Sequence, residues 1–451
     1  MMSNAAAEAE FFASESVPRV LLRIAPPVMA AQLIQSLYNI VDSFFVGQYS
    51  TAGLTALSVI APLQWLLLAF GVGTGVGVNT LMARYYAQKQ ERKANDAAGC
   101  GMVLAVLTWA LYALVTALLM RPYVMLQASG EEAVSAGITY GNVIVVGSLG
   151  IFLESVWTKV HQARGDMRIP MIAQISGALV NIVLDPVLIF GLEPFPRGGV
   201  AGAAIATIIG QCVAAAIVAR GGVHRPPALG VMAVYARRIY HFAYASILLQ
   251  IMWSTYIIFL NIILQGFSDA AVTVLGLYYK LQAFFFIPLF ALQGCIVAPL
   301  SYNYALEKYD RCRAIIRDAC GFAMLGMVAG MICFIGFPHA MVGIFTHDGE
   351  VMAIGVPAFR VIGLCFLSAA PSMIMPAFFQ AIGSGGYSVL CSLTRHVFCM
   401  VPIFWVLSWF GLAWVWWTFS ITETVTALTG YVLYRLQLKR WRLKAIGESG
   451  T

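Results

Sequence analysis

Residues 53–86 read GLTALSVIAPLQWLLLAFGVGTGVGVNTLMARYY, a stretch in which Arg84 is the only charged residue. A helix needs roughly 20 apolar residues to cross a bilayer core about 30 Å thick. This stretch is long enough to do so, and comparable stretches follow one another along nearly all 451 residues. Only 10% of the residues are charged, against about 25% in a typical soluble domain. The composition therefore predicts an all-α polytopic membrane protein.

Apolar runs, and the breakers between them, predict twelve membrane spans. The spans lie near residues 18–46, 53–86, 96–120, 133–160, 168–192, 198–219, 235–265, 270–304, 314–337, 351–379, 386–409 and 411–436. Lys and Arg gather in alternate connections, whereas the intervening connections hold only Arg121 and Arg197. Because basic loops stay in the cytoplasm, we expect both termini there. The net charge of +7 is thus a topology signal, and we expect no nucleic-acid partner.

An internal repeat relates the halves of the chain at an offset of 218 residues, as from Ala52 to Ala270 and from Gln162 to Gln380. This offset carries six spans, an even number, so both halves enter the membrane in the same orientation. Parallel repeats recur in transporters that bind their substrate near mid-membrane. We predict a disordered cytoplasmic N-terminal tail at residues 1–17 and a basic cytoplasmic tail at 438–451. Between them we predict two pseudo-symmetric six-helix lobes, at 18–220 and 235–437, joined by a cytoplasmic linker at 221–234.

A polar cluster is predicted inside the first lobe. Asp42 in span 1 and Asp185 in span 5 fall at similar depths, and burying a charge there costs a few kcal/mol. Asn39 lies three residues before Asp42, and Asn181 four before Asp185, so each amide shares a helical face with its carboxylate. Burial disfavours a charged carboxylate and a bound cation favours it, so the cluster can hold a proton or a small cation. The alternative is that each carboxylate only locks helix packing through its amide.

The other charges inside spans allow either a structural or a substrate-binding role. Glu154 lies near the cytoplasmic end of span 4, where it can meet water or Lys159. Glu423 in span 12 and Lys280 in span 8 are deep in the membrane and are candidates for a buried ion pair. Together with Gln282, these residues are candidates for lining a substrate cavity.

The glycine run at residues 71–77 superficially resembles a phosphate-binding loop. No Lys-Ser or Lys-Thr pair follows it, and it lies within an apolar span. We therefore expect it to allow close helix packing or to act as a hinge.

Five segments occur in a specific order along the chain: YNIVDSFFVG at 38–47, RGDMRIPM at 164–171, NIVLDP at 181–186, YKLQ at 279–282 and YNY at 302–304. With them the chain resembles the multidrug and toxic compound extrusion (MATE) family over nearly its whole length, especially the bacterial MepA-type branch.

The resemblance implies a V-shaped pair of six-helix lobes that exports bulky, often cationic and aromatic compounds in exchange for H⁺ or Na⁺. The cation site of the family carries over to Asp42, Asn181 and Asp185, where Na⁺ would be the only metal; Asn39 is added by helical spacing. We expect no cofactor beyond the coupling ion. The partners would be small amphipathic substrates and the lipid bilayer. The chain would be a monomer in a bacterial or archaeal cytoplasmic (inner) membrane.

Three alternatives are weighed against drug export. A flippase or exporter of a lipid-linked or specialised metabolite would favour a basic cavity, whereas the predicted interior holds four acids against the three bases Lys280, Arg360 and Arg395. An intramembrane enzyme is disfavoured because the nine cysteines and six histidines show no metal-ligand or nucleophile–base spacing. A channel is disfavoured because the acids at Asp42 and Asp185 have no counterparts in the second half.

Overall fold

The computed structural model of the protein describes residues 9–127, 131–191, 196–345 and 348–448, and these residues form helices and no strand. The first half contains α1 (Phe11–Ser14), α2 (Val17–Tyr49), α3 (Thr51–Ala87), α4 (Glu91–Gln127), α5 (Glu131–Gly147), α6 (Leu149–Ala163), α7 (Arg168–Phe190) and α8 (Gly199–Gly222). The second half contains α9 (Leu229–Gln265), α10 (Asp269–Phe285), α11 (Ile287–Cys295), α12 (Val297–Ala305), α13 (Tyr309–Gly336), α14 (Pro338–Gly343), α15 (Gly349–Gly363), α16 (Phe366–Ala381), α17 (Gly385–Leu393), a π-helical segment (Thr394–Met400), α18 (Val401–Ser408), α19 (Leu412–Val415) and α20 (Trp417–Glu448).

The helices coincide with the predicted spans to within seven residues at each end, except that the last helix continues twelve residues beyond residue 436. Eight helical stretches in the described residues are long and apolar enough to cross a membrane. Three further spans are helix pairs bent by 42° between α5 and α6, 58° between α10 and α11–α12, and 59° between α15 and α16. The last predicted span coincides with α19 and α20, where Glu423 and several threonines lower the hydropathy. The prediction of a polytopic all-α membrane protein is confirmed.

The described chain divides into two compact units. Unit 1 comprises the described residues up to Phe11 together with Pro26–Gln250, and unit 2 comprises Phe12–Ala25 and the described residues from Ile251 onward. The chain thus passes from one unit to the other at three places, inside α1, inside α2 and inside α9. The boundaries of these units differ from those of the predicted lobes, 18–220 and 235–437. The lobe boundaries therefore stay a prediction.

The glycine run of α3 allows close helix packing within unit 1. A Cβ atom at Gly73 would lie 2.3 Å from Cγ1 of Ile247, and one at Gly77 would lie 2.4 Å from the carbonyl oxygen of Ile239. A Cβ at Gly75 would lie 2.9 Å from the carbonyl oxygen of Ser155. Hydrogen in place of a side chain therefore lets α3 approach α9 and α6 at backbone distance. The packing interpretation of this run is confirmed.

The N-terminal tail is partly ordered, which corrects the expectation of a disordered segment at 1–17. Residues 1–8 lie outside the described residues, but Phe12 is fully buried in unit 2. Its carbonyl oxygen accepts hydrogen bonds from Asn303 (2.9 Å) and Arg311 (2.9 Å), and its ring meets that of Tyr302 at 5.9 Å. The acidic composition suggested a loose tail, but the buried Phe12 ring and the side-chain hydrogen bonds to the carbonyl oxygens of Phe12 and Glu15 hold this segment against unit 2.

The predicted C-terminal tail at 438–451 is largely helical, because α20 continues to Glu448. Trp441 is buried on this extension and stacks on Tyr309 with ring centroids 4.8 Å apart. The core of unit 2 contains further stacked rings, with Phe334 lying 4.9 Å from Phe359 and 4.8 Å from Phe366. Aromatic packing thus holds both the core of unit 2 and the end of α20.

Candidate functional site

Two carboxylates come together in unit 1, as the sequence predicts. Asp42 projects from α2 and Asp185 from α7, and they are close enough for their charges to interact. Asp185 is completely buried, whereas Asp42 is partly buried. One oxygen of Asp42, Oδ1, is buried and has no hydrogen-bond partner among the described residues. A proton, a cation or an ordered water molecule can compensate the lost hydration of such an acceptor.

Asn181 links Asp185 to the neighbouring helix α8. Its amide is best satisfied when the nitrogen donates to Oδ2 of Asp185 (3.3 Å) and the oxygen accepts from the backbone N–H (3.0 Å) and hydroxyl (3.3 Å) of Thr207. The close approach of α7 and α8 makes this possible, since a Cβ at Gly177 would lie 2.6 Å from the carbonyl oxygen of Gly210. Thr207 was missed by sequence reasoning because it lies on a different helix and has no acidic neighbour in the chain.

Two tyrosines complete the cluster. The hydroxyls of Tyr38 and Tyr140 both lie within electrostatic reach of Asp42 and Asp185. Gln64 donates a hydrogen bond to the Tyr140 hydroxyl at 3.3 Å. Tyr38 precedes Asp42 by four residues, so helical spacing could have found it, whereas Tyr140 comes from α5 and left no such signal. The predicted fourth member, Asn39, has a side chain outside the described part of the chain, so its role stays a prediction.

The donor set of this cluster fits a hard cation or a proton. Two carboxylates, an amide and a hydroxyl offer oxygen ligands, which small hard cations prefer. In a site of this kind the protein can hold a cation between the two carboxylates, or can keep one of them protonated so that the two negative charges do not repel each other. The cluster is therefore suited to exchanging one positive charge with its surroundings.

Glu154 makes local hydrogen bonds. It is 9% exposed on α6 and accepts from the Thr158 hydroxyl at 2.8 Å and from the Gln174 amide on α7 at 3.4 Å. The Lys159 ammonium group donates to the side-chain Oε1 of Gln162 at 2.8 Å. The bond from Gln174 ties α6 to α7, and the predicted cavity role of Glu154 stays a prediction.

In unit 2 the structure corrects the expected pair of Glu423 with Lys280. Glu423 instead binds Arg395, whose Nη2 and Nε lie 2.5 Å and 3.0 Å from Oε1. Lys280 is exposed, and its Nζ lies 5.9 Å from the ring centroid of Phe345. Gln282 is buried on α10. The depth of Lys280 and Arg395 in the membrane, judged from the sequence, could not show which of the two bases pairs with Glu423. In the structure Arg395 lies in the π-helical segment and contacts Glu423 of α20.

The Arg395–Glu423 pair belongs to a buried polar network. The Ser372 hydroxyl donates to Oε2 of Glu423, and Nη1 of Arg395 lies 3.0 Å from Nε2 of His396. The imidazole in turn lies 5.0 Å from the ring of Tyr256. Arg395 and His396 both belong to the π-helical segment, a geometry that often marks functional positions. Sequence reasoning counted Arg395 among the bases inside spans and missed this network.

A polytopic helical protein built from two repeats, with buried acids in the first, has the plan of a secondary transporter. The MatE family model matches residues 27–187 and again 245–406, so the chain belongs to the MatE family. The first match begins at residue 27 and the second at residue 245, an offset of 218 residues. This offset confirms the internal repeat, and the match itself confirms the family resemblance.

Curated relatives match most of the chain. The multidrug export protein MepA of Staphylococcus saprophyticus is 22% identical over 94% of this chain and 95% of its own length. The probable multidrug resistance protein NorM of Thermotoga maritima is 25% identical over 78% of each chain.

Solved structures share the fold. A MOP superfamily transporter from Pyrococcus furiosus matches with a TM-score of 0.89 and 21% identity, over 96% of this chain and 98% of that one. An outward-facing multidrug resistance MATE family transporter matches with the same TM-score and identity, over 98% and 99%. These likenesses establish the twelve-helix MATE fold for this chain.

Proposed function

We propose that this protein is a secondary active transporter that exports bulky cationic or aromatic compounds across the cytoplasmic membrane in exchange for H⁺ or Na⁺. The observation that carries the proposal is the interacting pair of carboxylates, the partly buried Asp42 and the buried Asp185, with its partner Asn181. Membership of the MatE family and the drug-export names of the relatives support the same function. The chain acts as a multi-pass monomer with both termini in the cytoplasm, and not as an enzyme.

The cluster couples ion binding to the packing of helices. When neither a proton nor a cation is bound, the two carboxylates repel each other and Oδ1 of Asp42 lacks a partner. A bound proton or Na⁺ removes that repulsion and draws α2 towards α7, where Asn181 and Thr207 hold Asp185 in place. The ion therefore favours one arrangement of these helices over another, which is what coupled transport requires.

The charge balance favours cationic cargo. The Glu423 carboxylate is compensated by Arg395, whereas Asp42 and Asp185 have no basic partner among the described ion pairs. The Asp42–Asp185 cluster thus offers negative charge that a positive ligand can share with the coupling ion. Glu154, Glu423, Lys280 and Gln282 stay proposals as residues that line the path of the substrate.

The decisive experiment measures efflux of a fluorescent lipophilic cation in proteoliposomes, with a proton or a sodium gradient imposed separately. Wild type is compared with Asp42→Asn and Asp185→Asn. The matched control is Asp310→Asn, which removes a carboxylate whose side chain is 96% exposed. Thermal unfolding of each variant in detergent shows whether it is folded.

We expect one gradient to drive transport in wild type and in the control, and both buried-site variants to lose that drive while they stay folded. Normal coupled export by both variants would show that the cluster is structural and would refute the coupling role. Transport under neither gradient would refute drug export and favour a lipid-linked or specialised metabolite as cargo.

A further inference from the structure

A basic cleft lies in unit 1 at the end of the α3–α9 pair that is predicted to be cytoplasmic. Its volume is about 1060 Å³, slightly above the range of roughly 300–1,000 Å³ that small-molecule sites occupy. Its lining comprises Leu81, Arg84, Tyr85, Gln88, Ala233, Val234, Arg237, Arg238, His241 and Phe242. Three of these residues are arginines and none is acidic, so the cleft attracts anions.

The cleft follows from the way in which α3 and α9 pack. The two helices run antiparallel, with Gly73 beside Ile247, Gly77 beside Ile239, and Tyr85 beside Tyr235 at a ring distance of 6.5 Å. At the glycines the backbones nearly touch, whereas beyond Gly77 the two helices carry long side chains. The cleft lies between these side chains.

The arginines are positioned by aromatic groups. Nη1 of Arg238 donates to the Tyr85 hydroxyl at 2.7 Å, and the guanidinium of Arg84 lies 4.6 Å from the ring centroid of Phe242. Neither Arg237 nor Arg238 forms an ion pair with a carboxylate of the described residues. The carboxylate of Asp96, which does not line the cleft, accepts from the Tyr235 hydroxyl at 3.3 Å. The two exposed arginines thus keep donors and charge available for a ligand.

Apolar surface continues from the arginines along α9. Val234 is 48% exposed, Val231 47% and Leu229 84%. A ligand that fits the whole feature carries an anionic group for the guanidiniums and a hydrocarbon part for this apolar stretch. Arginine donors match phosphate oxygens in geometry as well as charge, and basic pockets between membrane helices on the cytoplasmic side are suited to anionic lipid head groups.

We propose that this cleft binds the phosphate head group of an anionic phospholipid from the cytoplasmic leaflet, with Arg237 and Arg238 as its main ligands. The bound lipid bridges α3 and α9 at the end where they diverge and stabilises unit 1. Binding of this lipid requires neither the transported substrate nor the coupling ion. Failure of lipid binding would therefore leave the proposed transport function untouched, and failure of transport would leave the lipid site untouched.

The test measures lipid adducts by native mass spectrometry of the purified full chain in detergent. The probes are short-chain phosphatidylglycerol, short-chain phosphatidylcholine and inorganic phosphate. Wild type is compared with Arg237→Gln/Arg238→Gln. The matched control is Arg92→Gln/Lys93→Gln, which removes the same charge from two exposed residues on α4 of the same unit, outside the cleft. A single Arg237→Gln variant guards against misfolding, because Arg237 is exposed.

We expect wild type and control to bind phosphatidylglycerol in preference to phosphatidylcholine, and the double variant to bind it about tenfold more weakly or worse. The single variant should show an intermediate loss, and salt should weaken binding. Equal binding of both lipids, or undiminished phosphatidylglycerol binding in the double variant, would overturn the proposal. Displacement of the lipid by inorganic phosphate at equal concentration would overturn the lipid assignment and leave a site for soluble phosphate.

Discussion

The guanidinium of Arg395 and the carboxylate of Glu423 meet at 2.5 Å in unit 2, with only 6% and 3% of the two side chains exposed. Ser372 donates to the second carboxylate oxygen and His396 contacts the guanidinium, so the pair is the centre of a buried network. Burying two charges costs free energy that their mutual attraction barely repays, which makes the pair sensitive to the loss of either member.

Removal of one partner should therefore cost more than removal of both. We expect Glu423→Gln and Arg395→Gln each to destabilise the protein by about 3–5 kcal/mol, because each leaves a buried charge or donor without compensation. The double variant Arg395→Leu/Glu423→Leu should lie closer to wild type. Thermal unfolding in detergent measures all three. Additive losses in the double variant would show that the two residues do not act as a pair.

Thr207 should tune the affinity of the candidate cation site. Thr207→Val keeps the shape of the side chain but removes the hydroxyl that lies 3.3 Å from the Asn181 amide. A lost hydrogen bond of this kind costs about 1 kcal/mol, so the apparent affinity for the coupling ion should fall several-fold. Thr207→Ser retains the hydroxyl and is the control. The measurement is the dependence of transport rate on ion concentration, and equal behaviour of the two variants would contradict the role of the hydroxyl.

Gly77 should not tolerate a methyl group. A Cβ there would lie 2.4 Å from the Ile239 carbonyl oxygen, so Gly77→Ala must push α3 away from α9, at a cost of about 1–3 kcal/mol. The control is Gly321→Ala in α13, where nothing lies within 4 Å of the added atom. Alanine favours a helix over glycine by up to about 1 kcal/mol, so the control should be neutral or slightly stabilised. Similar melting temperatures for the two variants would refute close packing at Gly77.

His224 should make the stability of unit 1 depend on pH. It lies in the connection after α8, where its Nδ1 is 2.9 Å from the Gly222 carbonyl oxygen and its Nε2 is 2.6 Å from Nη2 of Arg164. Burial lowers the pKa of His224, the hydrogen bond to Gly222 raises it by less, and the nearby charges of Arg164 and His161 lower it further. Asp166, which faces His161 at 3.5 Å, is the carboxylate of this group.

Because the folded pKa of His224 is lowered, the stabilisation is complete above the ordinary histidine pKa of about 6.5 and is lost as pH falls through the folded value. Wild type should therefore lose more thermal stability between pH 8 and pH 5 than His224→Gln, whose amide does not titrate. His339→Gln changes an exposed histidine and should follow wild type. Parallel profiles for all three proteins would mean that His224 does not contribute.

Much of the candidate site was predictable because helical spacing brings together residues of one helix. Asn181 and Asp185 share a face at a spacing of four residues, and Tyr38 and Asp42 do the same. Thr207 and Tyr140 reach the cluster from other helices, and nothing in their own segments indicated this. The prediction that Lys280 pairs with Glu423 was wrong for a related reason. Two residues at the same depth in the membrane need not face each other, because depth does not specify the rotation of a helix about its axis.

The sequence by itself determined the twelve spans, the internal repeat, the MATE family and the acidic pair of the first half. These features depend on hydrophobicity, on charge position and on neighbours along one helix, all of which are local properties of the chain. Only the tertiary structure decided that Arg395 is the partner of Glu423, that Phe12 docks the N-terminal tail, and that α3 and α9 open into a basic cleft. Each of these features depends on how helices that are distant in sequence rotate and approach one another. Side-chain packing in the folded protein sets this geometry, and no local sequence pattern specifies it.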